Sequence, residues 1–156
     1  MKFGWINLFG AGIVVLMLLP NIVYAIKNKD EKNLCANRAM NLPEQIGRYA
    51  CIVLMWLPLL VWEFGFSSEP GMMLYFIGNG ALLLAYWLVF IRHLKHKSRK
   101  SALILAVLPA GIFLLSGLTL RHWLLVGFAA LFAVSHVYVT ICNTSPLRAE
   151  NREEKE

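Results

Sequence analysis

Residues 72–91 read MMLYFIGNGALLLAYWLVFI, twenty positions without a charged side chain. A bilayer's hydrocarbon core is about 30 Å thick and is crossed by about 20 helical residues at about 1.5 Å each, so this stretch predicts a transmembrane helix. A strand of an outer-membrane barrel would instead alternate apolar and polar residues over about ten positions, and this run does not alternate. Four further stretches, 5–26, 46–64, 102–120 and 123–142, read the same way. The expected fold class is therefore an all-α integral membrane protein, a five-transmembrane-helix bundle followed by a charged tail over 143–156. Composition agrees, with 58% hydrophobic and 15% charged residues among 156. With a single transmembrane domain, one longer connection from Lys27 to Gln45 and three short ones, any activity sits in the bundle or at its edge.

Basic residues set the expected orientation, because short cytoplasmic loops hold an excess of Lys and Arg. Lys27, Lys29, Lys32, Arg38, Arg48, Arg92, Lys95, Lys97, Arg99, Lys100, Arg148, Arg152 and Lys155 fall on one side of the five spans, and only Lys2 and Arg121 on the other. Thirteen against two places the N-terminus outside and the C-terminus in the cytoplasm, in a cell membrane. The formal charge of +6 thus reports topology, and nucleic acid is not an expected partner. The 92–100 cluster also suits anionic lipid head groups. Lys2 followed by an apolar stretch ending in Val23, Tyr24 and Ala25 has features of a secretory signal, but that stretch exceeds the 7 to 15 residues of a signal's hydrophobic region. It is read as a span.

Cys35, Cys51 and Cys142 are an odd number on the reducing side, so free thiols are expected, and their spacing is not that of zinc ligands. Neither metal nor cofactor is expected. Pro43, Glu44 and Gln45 look like the first turn of the second helix, with the carboxylate at the positive end of the helix dipole. Ser67, Ser68, Glu69 and Pro70 open the third in the same way. A short surface helix is expected near 29–40. Pro20, Pro58 and Pro109 remove backbone donors inside spans and bend them. Ala106 with Ala110, and Ala129 with Ala133, permit close helix approach. Phe3, Trp5, Trp62, Phe64, Phe66 and Trp123 on the outer side, and Tyr24, Tyr49, Tyr86, Trp87 and Tyr138 on the inner side, form interfacial belts.

Ionisable groups at membrane depth are costly and mark function by default. His136 lies roughly 9 Å from the inner end of the fifth span by helix rise, beside Ser135. Asn21 reaches nearly the same depth, and Arg48, Tyr49 and Tyr86 approach from neighbouring spans. Together they predict a polar pocket open to the cytoplasm, a ligand-binding or proton-linked site; the plainer reading is a neutral histidine bonded to Asn21 or to a backbone carbonyl. A second group, Glu63, Asn79, Thr119, Arg121 and His122, gathers on the outer side, with Glu63 and Arg121 as an expected ion pair and Asn79 between two glycines.

Residues 121–127, RHWLLVG, keep the Arg-His pair and glycine spacing of the Arg-His-Pro-x-Tyr-x-Gly segment found in small membrane methyltransferases that use S-adenosylmethionine. The proline and tyrosine are missing, and Arg121 falls on the outer face, so no resemblance is claimed and the enzyme reading stands third. No nucleotide loop, paired catalytic carboxylates, HExxH or nucleophile elbow is present. The leading expectation is a non-enzymatic bundle that binds a lipid or small ligand, or serves as a subunit of a membrane complex. A small-solute or ion transporter is the second. Expected partners are membrane lipids, a second copy of the chain, or other membrane subunits.

Overall fold

Asn7 starts the first helix: its side-chain oxygen accepts the Gly10 N–H at 3.0 Å and its carbonyl accepts the Ala11 N–H at 3.0 Å, which satisfies donors that a helix start leaves free. The computed structural model describes residues 6–27, 35, 37–57, 59–61, 65–66 and 68–145. Among them are five helices, α1 (Leu8–Lys27), α2 (Arg38–Leu54), α3 (Glu69–Lys95), α4 (Arg99–Thr119) and α5 (Trp123–Asn143). Lys2, Phe3, Trp5, Lys29, Lys32, Pro58, Trp62, Glu63, Phe64, Ser67 and the tail from 146 on, all singled out above, lie outside the described residues.

Four of the helices, α1, α3, α4 and α5, are long and apolar enough to cross a membrane. The second differs from expectation at both ends. It begins at Arg38, where Asn37 accepts the Ala39 N–H at 3.1 Å as its cap, and Pro43 sits inside the helix instead of opening it. It stops at Leu54, well short of residue 64. The sequence supplies a reason, since a proline at position 58 has no N–H to offer the Leu54 carbonyl. The carbonyls beyond this break find partners in α1's cap: Met55 accepts from the Asn7 side chain at 3.2 Å and Trp56 from the Asn7 N–H at 2.8 Å. Ser68 caps α3 by accepting the Gly71 N–H at 3.2 Å, with Glu69 and Pro70 in the first turn.

Although α2 carries a polar face, it spans much of the bundle. Asn37 donates to the Tyr138 hydroxyl at 3.3 Å near the end of α5, and Met55 meets Asn7 at the start of α1. One face of α2 (Glu44, Gly47, Cys51, Leu54) is buried, mainly against α5. Gly47 sets the distance: a methyl there would stand 2.9 Å from the Phe132 Cβ and 3.1 Å from its Cα and N. The closest pairings are α2 with α5, α5 with α4, and α4 with α3, while α1 rests chiefly on α3. The helices thus follow one another round an open ring whose ends, α1 and α2, are joined by the Asn7 contacts. Cys51, Tyr86, Ala110, Ile112, Phe113, Leu125 and Ala129 are among the residues that fill its core.

The two ends differ in charge. Arg38, Arg92, Lys95, Lys97, Arg99 and Lys100 lie at the end shared by the start of α2, the end of α3 and the start of α4, hereafter the basic end. Asn7, Met55, Tyr75 and His122 mark the opposite end.

Pro20 has no N–H for the Leu16 carbonyl, four residues earlier. The Trp87 indole N–H of α3 donates to that carbonyl at 3.1 Å, so the proline's missing donor is replaced by a contact between helices.

Candidate functional site

A cavity of about 390 Å³ opens inside the ring toward its basic end, and all five helices contribute to its wall. Along α4 the lining runs from Ala102 to Phe113, eleven steps or about 16 Å of helix rise. Asn21, Arg48, Tyr86 and His136 line it together, joined by Tyr24 and His93. The deeper wall is apolar, with Met17, Ile52, Leu105, Pro109, Phe113 and Phe132. Tyr49, expected in the same group, points away and is 62% exposed.

The polar end is organised by Glu44, which sequence reasoning had assigned only to the helix dipole. Its carboxylate is buried, accepts from the Arg48 guanidinium one turn on, and lies 2.9 Å from His136 Nδ1. An ionised carboxylate only accepts, so Nδ1 carries the proton and Nε2 is left as the ring's other polar atom. The imidazole stacks on Phe132 with centroids 4.7 Å apart. The polar partner of His136 is thus an acid on α2, and Asn21 belongs to a second link: the Tyr86 hydroxyl donates to its Oδ1 at 3.0 Å, and its Nδ2 donates to the Met17 carbonyl at 3.2 Å. One link ties α2 to α5 and the other ties α3 to α1, both beside the cavity. The signal for Glu44 was its i, i+4 spacing to Arg48.

Further toward the basic end, His93 Nδ1 lies 2.6 Å from Ser101 Oγ, and the Lys97 ammonium stands 5.5 Å from the centroid of the Tyr24 ring. Deeper in, Pro109 has no N–H for the Leu105 carbonyl, so the apolar wall includes a helix turn that lacks its usual donor.

The outer group is not assembled as expected. Glu63 lies outside the described residues. Asn79 is buried and exchanges two bonds with Ser116, at 3.0 and 3.2 Å. Nearby, the buried Tyr75 hydroxyl accepts from the Asn7 side chain at 3.3 Å. These bonds fasten α1, α3 and α4, and Asn7 was not anticipated, although an Asn just ahead of an apolar helix is a capping signal. His122 is buried, with Nε2 2.9 Å from the Leu59 carbonyl. Burial pushes its imidazole below the usual range, against the opposing pull of that carbonyl.

Arg121 is exposed and has a φ of 53°. The His122 N–H bonds the Gly117 carbonyl at 2.8 Å and the Arg121 N–H bonds the Leu118 carbonyl at 3.2 Å. Those two bonds define a Schellman turn with Arg121 in the left-handed position usually taken by glycine. The Arg-His pair therefore closes α4, a backbone role that accounts for both residues' positions.

Neither a family model, a curated protein nor a solved structure matches this chain.

Proposed function

We propose that this chain is a non-enzymatic membrane protein that binds a lipid or small amphiphilic ligand in the cavity at its basic end. One observation carries the reading: polar groups from four helices (Asn21, Arg48, Tyr86, His93, His136) gather at one end of a cavity whose remaining wall is apolar. Ligand pockets commonly combine a few converging polar groups with an apolar lining, over about 300–1,000 Å³.

In this reading α2 is a fifth crossing, despite its polar residues, because Glu44 is buried against His136 and Arg48 lines the cavity. Basic residues concentrated at one end favour a cytoplasmic C-terminus and an outside N-terminus in the cell membrane. Surrounding lipids, a second copy of the chain or another membrane subunit are then its natural partners.

The test is to purify the full chain from membranes in a mild detergent and record its native mass spectrum. A retained molecule that Ala106→Phe expels supports the proposal, since Ala106 is buried in the cavity wall. A protein with no adduct, and whose thermal stability does not respond to added membrane lipid extract, would contradict it.

A further inference from the structure

The polar end of the cavity is rich in hydrogen-bond donors. Among the described residues its lining includes the Arg48 guanidinium and two imidazoles but no carboxylate, since Glu44 bonds Arg48 and His136 without forming part of the wall. The guanidinium has five N–H donors. Glu44 engages the Nη2 end, and the Arg48 side chain remains 44% exposed. Donors to spare, next to an acid already shared with His136, suit an incoming anion. Basic residues also stand at this end, with Lys97 beside the Tyr24 ring and Arg92, Lys95, Arg99 and Lys100 around the α3–α4 turn.

Shape restricts the occupant further. At about 390 Å³ the cavity is near the small end of the range for ligand pockets, which suits one acyl chain and not two. Among the described residues the ring is also incomplete on one side. Both α1, through Met17 and Asn21, and α2, through Arg48 and Ile52, line the cavity. Yet the two helices do not pack closely along their lengths, and the Asn7 contacts that join them lie at the opposite end. Among the described residues the seam between them is left open beside the exposed Arg48.

We infer that the occupant is a single-chain acidic amphiphile, its anionic head on Arg48 and its tail along the Phe113 and Phe132 wall, admitted through the α1–α2 seam. This rests on the reading of the cavity as a ligand site and adds the chemical class of the ligand. A carboxylate and a phosphate monoester share the required chemistry, and the experiment separates them.

Full-length protein in maltoside detergent is titrated with oleate, oleyl phosphate, oleyl alcohol and oleylamine, and bound fractions are read by native mass spectrometry. At least one acid is expected to bind about tenfold or more tightly than the alcohol, the size of one or two charge-assisted bonds. The tighter acid identifies the head group. Arg48→Gln reduces the acid-to-alcohol ratio to about one, and Arg48→Lys, which keeps the charge and guards against misfolding, retains part of it. Equal binding of acid and alcohol, or tighter binding of the amine, overturns this inference while leaving the cavity a ligand site. Binding of none of the four, or binding that Ala106→Phe does not weaken, overturns both.

Discussion

Removing the Glu44 carboxylate is the sharpest perturbation of the polar end. Glu44→Ala takes the shared acceptor from Arg48 and His136 and leaves two donors beside an apolar wall. Bonds to a charged group contribute about 1.5–3 kcal/mol each, so two intact bonds set an upper limit of about 3–6 kcal/mol. That limit is reduced by exposure. The Arg48 side chain is 44% exposed and recovers hydration, which brings its share toward the 0–1 kcal/mol of a surface pair. His136, at 22%, recovers less. The expected destabilisation is therefore about 2–3 kcal/mol, measured by reversible unfolding in mixed SDS–maltoside micelles. Replacing the whole cluster together, with Glu44→Leu, Arg48→Met and His136→Phe, is expected to cost less than the single change, because no partner is left uncompensated. A Glu44→Ala protein within about 0.5 kcal/mol of wild type would refute the reasoning.

Gly47→Ala places a methyl against Phe132 backbone atoms, which do not move as a side-chain tip does, so a loss of about 1–3 kcal/mol is expected; Phe132→Leu in the same chain should not restore it, and rescue would show that a side chain, not backbone, sets the α2–α5 distance. Trp87→Phe removes the donor that serves the Leu16 carbonyl and should cost about 1 kcal/mol. That cost should shrink in a Pro20→Ala background, where the helix supplies its own N–H, and an unchanged cost would remove this account of the indole. At Arg121, whose φ is 53°, glycine should be tolerated or stabilising while valine loses about 1–2 kcal/mol; thermal unfolding that ranks valine level with glycine would argue against the turn.

Much of the bundle was legible because its signal is local: long apolar runs produce α1, α3, α4 and α5 whatever they pack against. The second helix was harder to place. Arg38, Asn41, Glu44, Gln45 and Arg48 lower the hydropathy of its true first half, so the apolar run that followed drew the expected span to 46–64, across a helix end. What compensates that polarity is a partner 92 residues away in the chain, His136, and no local pattern reports it.

The same distinction governs the sites. Depth along a helix follows from counting residues, and that was enough to bring Asn21, Arg48, Tyr86 and His136 to one level. Which side of a helix faces the centre does not follow from counting, and Tyr49, one residue from Arg48, faces out. On the other side, Asn79 lies level with Ser116 in a buried amide cluster, while Arg121 and His122 belong to the helix-closing turn beyond it. Their separation depends on the α4–α5 turn geometry.

The account stands most directly on α2 running from one membrane face to the other. With Cys35 and Cys142 changed to serine and Cys51 to alanine, single cysteines at Ala39, exposed in the first turn of α2, and at Leu60, which is 87% exposed just beyond α2, are labelled in intact cells with a membrane-impermeant maleimide. Leu60→Cys is expected to label from outside and Ala39→Cys only after the membrane is opened. Labelling of both positions from the same side would contradict a five-crossing bundle.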